Sequence, residues 1–296
     1  MSFFSIIIPT YNRAKLLAKT LQSIQSQTFL DYEVIVVDDG GSDDTQQVVE
    51  GLQDERFQYI WKENEERAIA RNFGAKKAEG AFFTFHDSDD LLEPNHLSVV
   101  FDFIQAHPQA RFLATERAIV STNGSIISKS HLNAQRDVNR YLIRGNALAC
   151  LGVFIERGLF LKEQFPTNPA LRKMSEDWHL WLRLASRNKL WIVPQLTAFL
   201  CEHDQRSVNT NQLSDIIESQ DALTSELLAN RSFCEFYERE VPIFKAHNLT
   251  LVSLYAAIAQ PTQRTLALSK LMKAIQAYPP TLFKRRTLAI LKHLIT

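Results

Sequence analysis

Two uninterrupted apolar runs set the strongest constraint on how this chain can fold. Phe4–Pro9 (FSIIIP) and Tyr32–Asp38 (YEVIVVD) are hydrophobic at odd and even positions alike. A strand with one wet face alternates, whereas a strand apolar on both faces belongs inside a parallel sheet covered by helices. Between the runs Leu17, Leu21 and Ile24 recur at helical spacing with polar residues opposite. Strand, helix and strand in this order make a βαβ unit, the crossover that parallel strands require.

The alternation continues over residues 1–115. The pattern predicts a helix over Asp44–Gln53, a strand over Phe57–Trp61, a helix over Arg67–Ala78, a strand over Ala81–Phe85, and a helix opened by Pro94 and ending near Ala106. Beyond Arg111 the character changes. Asn123-Gly124 reads as a hairpin turn between Ala118–Ser121 and Ser125–Ser128. Leu148–Ile155, Trp191–Val193 and Thr197–Cys201 read as strands and Glu176–Ser186 as a helix. From about Asn211 the chain reads as helical and holds no glycine. The expected fold class is α/β, with a mixed, mostly parallel sheet flanked by helices and a helical C-terminal extension. The expected domains are 1–205, itself divided into 1–115 and 116–205, and 206–296.

Composition narrows the class of function. Over 296 residues the 33 basic and 33 acidic side chains cancel, so no global charge calls for nucleic acid. The charge is unevenly spread: Val241–Thr296 holds eight Lys or Arg and no Asp or Glu, which leaves 33 − 8 = 25 basic against 33 acidic residues elsewhere. Such a split implies two surfaces with different partners. Cys150, Cys201 and Cys234 form no CxxC pair and no even-numbered framework, which favours a reducing cytoplasm. The start, MSFFSIIIPTYNR, has no basic residue before its apolar run and reads as a buried strand rather than a signal peptide. The longest apolar stretch, Leu249–Ala259, is shorter than the roughly 18 residues a spanning helix needs, so a chain that is soluble or rests on a membrane surface is expected.

In an open α/β sheet, ligands bind outside the carboxyl ends of the strands. Three polar segments fall there: Pro9-Thr10-Tyr11-Asn12-Arg13, the run from Asp38-Asp39-Gly40-Gly41 to Thr45, and Asp87-Ser88-Asp89-Asp90. Carboxylates at i and i+2 can both reach one hard cation, which would keep open positions for substrate phosphates. The same acidic turn would also serve to cap the helix after Pro94, and residues alone leave the two readings level. Asp38-Asp39 can accept hydrogen bonds from a base or ribose, or simply form a turn. Arg71-Asn72 can face base or phosphates, or solvent. Glu176 and Asp177 fall in the first turn of a helix with Ser175 as N-cap, where the dipole keeps a carboxylate ionised. Trp178 and Trp181 can stack on a sugar, though aromatics at helical spacing are more often core. His203 follows a strand and can complete a metal's ligands, and Arg206 can offset phosphate charge. No GxGxxG, GxxxxGK[ST] or GxSxG is present, so phosphates must be held by side chains and metal rather than by a glycine loop.

FFSIIIPTYNR, VIVVDDGGSDDT, ARNFGAKKAEGAFFTFHDSDD and SEDWHLWLRL, in this order over about residues 4–208, resemble the motifs of the family 2 glycosyltransferases of the GT-A fold. The resemblance implies transfer of a sugar from a nucleotide-diphosphate donor to an acceptor hydroxyl, with inversion at the anomeric centre. It implies a nucleotide-binding part at 1–115 and an acceptor-binding part at 116–205. It puts Pro9, Thr10, Tyr11, Arg13, Asp38, Asp39, Arg71, Asp87 and Ser88 on the nucleotide sugar. Asp87, Asp89 and His203 would hold a divalent metal, Mn²⁺ or Mg²⁺, and Asp177 would be the catalytic base. The implied partners are the donor and a glycan or lipid-linked acceptor, in the cytoplasm, with contact to the inner face of a membrane through the basic C-terminal helices. The alternative is a nucleotide-sugar-binding regulatory or assembly subunit without catalysis. Three positions depart from the family pattern: His86 where an apolar residue is usual, Glu66 where Gly is usual, and Gly41-Ser42 in inverted order.

Overall fold

The computed structural model describes residues 2–172, 174–204, 212–259 and 261–295. The first elements are β1 (Phe4–Thr10), α1 (Ala14–Gln25), β2 (Tyr32–Asp39), α2 (Thr45–Glu50), β3 (Phe57–Lys62), α3 (Arg67–Lys77), β4 (Phe82–Phe85), β5 (Leu91–Leu92) and α4 (His96–Ala106). Then come β6 (Phe112–Val120), β7 (Ile126–Lys129), α5 (Val138–Tyr141), β8 (Val153–Glu156), α6 (Arg157–Glu163), α7 (Glu176–Ala185) and β9 (Trp191–Cys201). Five helices close the chain: α8 (Leu213–Ala229), α9 (Arg231–Phe236), α10 (Val241–Ala259), α11 (Arg264–Ala277) and α12 (Arg285–Ile295).

The chain forms two compact units, and it passes between them more than once. The first is Met1–Val138, Ala147–Thr167 and Asn188–Arg206; the second is Asn139–Asn146, Asn168–Arg187 and Ser207–Thr296. The segment carrying α7 thus belongs with the C-terminal helices.

The first unit holds the whole sheet, in the order β3-β2-β1-β4-β8-β6-β9-β5 with β7 on β6. Strands β1 to β4 pair in parallel. β8 runs antiparallel to β4 and β6, and β6 and β9 are again parallel. The apolar runs explain the parallel half: every residue of β1 and of β2 is buried. Leu17, Leu21 and Ile24 of α1 pack on one face, with Ile6, Ile8, Val34 and Val36 in the same cluster. Helix α3 covers the other face so closely that a Cβ on Gly74 would lie 2.6 Å from Ile7 Cγ2 and 2.9 Å from Val37 Cγ2. β1 is flanked by β2 on one side and β4 on the other, so the loops after β1 and β4 border the point where the strand order reverses, the usual ligand crevice of such sheets.

Two strand expectations needed correction. Trp191–Val193 and Thr197–Cys201 are one strand, β9, and Pro194 sits where the pairing slips from Val193↔Thr115 to Leu196↔Glu116. A bulge leaves no ladder bond for the missing proline N–H to make. The strand expected over Leu148–Ile155 shrinks to Val153–Glu156. The helix after Pro94 begins at His96. The hairpin at Asn123-Gly124 forms as expected, with Gly124 at φ 82° and its N–H on the Ser121 carbonyl at 2.9 Å.

The second unit is built around α10. At 19 residues this helix is long and apolar enough to cross a membrane by length and composition, contrary to the expectation from the sequence. It packs on α8, α11 and α12, burying Phe244, Ala246, Val252 and Ala256. Of its apolar stretch 44% is buried, so packing within the unit accounts for part of its apolar surface. Trp178 and Trp181 are buried core residues, with Trp178 Nε1 donating to the Leu142 carbonyl at 2.8 Å. In α11 the apolar face splits: Leu271 is buried, whereas Leu268 and Met272 are exposed.

Candidate active site

The acidic turn after β4 is the centre of the site in the first unit. Asp89 Oδ2 accepts from Arg13 Nη1 at 2.8 Å and lies 3.0 Å from His203 Nε2. Arg13 follows β1 and His203 follows β9, so one carboxylate oxygen ties three separate loops together. Asp87 Oδ1 accepts from Arg71 Nη2 at 2.6 Å. The Arg71 side chain is 1% exposed and its guanidinium stands 5.2 Å from the centre of the Phe165 ring. Burial pushes the Asp87 carboxyl upward, but the Arg71 and Arg67 guanidiniums outweigh it and hold the group below its usual range. Asp90 does not cap the helix after Pro94 but ties the turn to β9: its Oδ1 accepts from the Cys201 N–H at 2.9 Å. Ser88 is buried between the two acids.

His86, where an apolar residue is usual, is fully buried, and burial pushes its ring down to about 4. A histidine kept neutral at physiological pH occupies an apolar slot without carrying charge.

The loop after β1 contributes Pro9 and Thr10, both buried, and Tyr11, which is 52% exposed. Thr10 Oγ1 is buried with no hydrogen-bond partner among the described residues. Asn12 adopts φ 52° and its Oδ1 accepts from the Ser42 N–H at 2.8 Å, which joins this loop to the one after β2. In that second loop Asp38 accepts from the Gly41 N–H at 2.8 Å and from Tyr59 OH at 2.9 Å. A Cβ on residue 41 would come within 2.5 Å of Asp38 Oδ1, so glycine at 41 with serine at 42 lets the Asp38 turn close. Asp39 accepts from Lys62 Nζ at 2.9 Å and the Glu65 N–H at 3.1 Å. The residue that caps here is Asp43, whose two oxygens take the Ala14 N–H at 2.8 Å and the Thr45 hydroxyl at 2.6 Å, joining α1 to α2.

Asn72, which the sequence allowed to face a ligand, is instead a clamp. Its amide exchanges two hydrogen bonds of 3.0 Å with the Phe165 backbone. Tyr59, Lys62, Asn12 and Phe165 are the supports that sequence reasoning missed. Lys62 is opposite Asp39 in the β2–β3 register, a signal that exists only once the pairing is known.

In the second unit, Asp177 stands in the first turn of α7. Its Oδ1 accepts its neighbour's N–H, that of Trp178, at 2.7 Å, and its Oδ2 accepts from Asn146 Nδ2 at 2.8 Å. Ser175 does precede the helix, but in a left-handed conformation (φ 64°) and without a side-chain cap. Its hydroxyl meets Gln220 Nε2 at 3.0 Å instead. Glu176, the other acid of that first turn, is buried. Arg206 lies outside the described residues.

The donors at the acidic turn, two carboxylates and an imidazole, are of the types that suit Mg²⁺ or Mn²⁺. Among the described residues no group of three or more His, Cys, Asp or Glu is already gathered to hold an ion. A set of this chemistry that leaves positions for phosphate oxygens fits a metal shared with a diphosphate.

A mixed sheet with a β1/β4 crevice, an acidic turn at its lip and a helical C-terminal region defines a GT-A nucleotide-sugar domain. Residues 5–154 match the family described as Glycosyl transferase family 2, and the chain belongs to that family. An uncharacterized glycosyltransferase of Rickettsia bellii is 30% identical over 236 residues, which are 78% of this chain and 33% of that protein. The chain spans about a third of the length of the first curated relatives it matches. The Escherichia coli protein WfgD, a UDP-Glc:alpha-D-GlcNAc-diphosphoundecaprenol beta-1,3-glucosyltransferase, is 28% identical over 74% of this chain and 84% of its own. Among solved structures, S. aureus TarS 1-349 in complex with UDP-GlcNAc superposes with a TM-score of 0.67 at 21% identity, covering 97% of this chain and 92% of that one. The Pyrobaculum calidifontis mannosyltransferase PcManGT, in complex with GDP-Man and Mn²⁺, gives 0.61 at 19% identity over 99% and 85%. Likeness at this identity shows the shared fold.

Proposed function

We propose that the chain is an inverting, metal-dependent glycosyltransferase that moves a sugar from a nucleotide-diphosphate donor to an acceptor hydroxyl in cell-surface glycan or polysaccharide synthesis. The observation that carries this reading is the meeting of Arg13 and His203 on Asp89, with Asp87 held by Arg71 in the same turn.

Pro9, Thr10, Tyr11, Arg13, Asp38, Asp39, Arg71, Asp87 and Ser88 hold the donor. The exposed Tyr11 ring offers a face to the base, and the carboxylates of Asp38 and Asp39 accept from base or ribose. Asp87, Asp89 and His203 hold the divalent cation, which when bound neutralises charge on the departing diphosphate. The Arg71 and Arg67 guanidiniums keep Asp87 ionised before donor arrives. By function the catalytic part is 1–205, with donor handling in 1–115 and acceptor handling in 116–205, and 206–296 is its extension; this division cuts across the two compact units, since residues 139–146 and 168–187 belong to the second.

In the reaction the acceptor oxygen attacks the anomeric carbon from the face opposite the diphosphate. The new C–O bond forms as the bond to the phosphate oxygen breaks, and the electron pair leaves with the nucleoside diphosphate. Asp177 takes the acceptor's proton, and Asn146 orients its carboxylate. UDP-Glc in the name of WfgD and UDP-GlcNAc bound to TarS favour a UDP-sugar donor. The acceptor named for WfgD favours a sugar linked through diphosphate to a polyprenol. Such an acceptor is presented at a membrane, and the basic C-terminal helices would meet its cytoplasmic face.

Calorimetric titration with a UDP-sugar tests the donor site. Wild type should bind with Mn²⁺ at least about tenfold more tightly than without it, and Asp89→Ala should lose that difference while keeping its circular dichroism spectrum. Equal affinity of variant and wild type in the presence of Mn²⁺ would overturn the assignment.

A further inference from the structure

The second unit holds a group of cations that pairs with no carboxylate among the described residues. His247 is its hub. Gly145, at φ 152°, lies against the His247 ring so closely that a Cβ there would be 3.1 Å from Cε1. The ring also hydrogen-bonds the backbone of Arg144. On the other side the His247 carbonyl accepts from Arg286 Nη1 at 3.3 Å, and the same nitrogen lies 3.3 Å from Thr250 Oγ1. Lys284, two residues before Arg286, reaches over the Tyr278 ring at 5.4 Å. Among the described residues none of Arg144, Lys284 or Arg286 pairs with a carboxylate, and residues 241–296 contain none to offer.

The electrostatics are those of a site awaiting an anion. Burial, Arg144 and Arg286 together push the Lys284 ammonium below its usual range, and burial lowers the Arg286 guanidinium. Burial followed by Arg286 and Lys284 drives His247 down to about 3, so the ring stays neutral. Arg285 and Arg286 also open α12, the helix end whose dipole is positive. Cations gathered at the wrong end of a helix are unfavourable until an anion joins them.

We propose that Arg144, Lys284 and Arg286 form an anion site that takes the diphosphate of a lipid-linked acceptor, with the neighbouring apolar side chains toward the lipid. This rests on the acceptor reading given above. Two features choose this occupant over an ordinary anionic headgroup. Arg144 is two residues along the chain from Asn146, which holds Asp177 at 2.8 Å, so the cluster draws on the same segment that orients the proposed base. Directly next to Lys284 the Phe283 side chain is 85% exposed, flanked by exposed Leu282 and Leu288. A sugar, a diphosphate and a prenyl chain in that order match a carboxylate, a cation cluster and an apolar surface. A headgroup accounts for the cations alone.

The test uses the full chain and farnesyl diphosphate, a soluble short prenyl diphosphate, titrated calorimetrically in EDTA. Wild type should bind it, and the exposed double variant Arg144→Gln/Lys284→Gln should bind at least about tenfold more weakly, as loss of charge-assisted hydrogen bonds implies. Farnesol should bind far more weakly than its diphosphate. UDP with Mn²⁺ should bind both proteins alike, and failure of that arm in wild type would count against the donor site rather than this one. No binding of farnesyl diphosphate by wild type, or equal binding by the variant, overturns the proposal. So does a variant that loses only its flotation with phosphatidylglycerol vesicles, since the cluster would then read bulk headgroups.

Discussion

At the scale of single residues, Glu66 shows most plainly how a local rule is broken beside the site. It precedes α3 at φ 73° and ψ 160°, a region that only glycine enters without strain. The side chain is exposed and makes no cap. Glu66→Gly should therefore stabilise the protein by about 1 kcal/mol, the relief of strain exceeding the added freedom of the unfolded chain. Urea unfolding checks this, and a destabilised variant would mean that the carboxylate makes a contact worth more than the strain. The residues of the acidic turn, Asp87 and Asp89, were legible because i, i+2 carboxylates after a strand are a chemical pattern. Asn146 and Lys62 were not, since each is defined by a partner 31 or 23 positions away.

At the scale of elements, α3 carries Arg71 to Asp87, and Gly74 fixes how near the helix comes to the sheet. Gly74→Ala would gain about 1 kcal/mol in helix propensity. The methyl would also meet Ile7 and Val37 at 2.6 Å and 2.9 Å, and both are β-branched side chains locked in the sheet. Overpacking of that kind costs about 1–3 kcal/mol, and contacts this short belong at the upper end. The net expectation is a loss of about 2 kcal/mol, with weaker UDP-sugar binding because Arg71 moves with its helix. Thermal unfolding at unchanged or raised midpoint would show that the helix rides freely on the sheet. Helix α3 and strands β1 to β4 were readable because hydrophobic period and strand ends are local. β9 was not: Pro194 reads as a break, and only its place in a bulge against β6 allows one strand to continue through it. The membership of α7 in the second unit was equally hidden, because no composition shift marks residues 139–146 or 168–187.

At the scale of the whole molecule, the residues proposed for the donor lie in the first unit and Asp177, the proposed base, lies in the second. The tail's eight cations and absent acids, visible in composition, acquire a purpose only when Arg286 and Lys284 are found with Arg144 from far earlier in the chain. The central claim is that Asp177 removes the acceptor's proton. Its contribution then belongs to the transition state, so its loss should lower kcat and leave donor affinity unchanged. Asn keeps the side chain's size and one carbonyl oxygen for the Trp178 N–H, and the fold should survive. The direct measurement is kcat for sugar transfer to a prenyl diphosphate-linked acceptor by wild type, Asp177→Asn and Glu176→Gln, beside UDP-sugar affinity for each. The account predicts a fall of about 10²–10⁴-fold for Asp177→Asn, a much smaller one for Glu176→Gln, and donor affinity within about twofold throughout. Near-normal turnover by Asp177→Asn, or greater damage from Glu176→Gln, would contradict it.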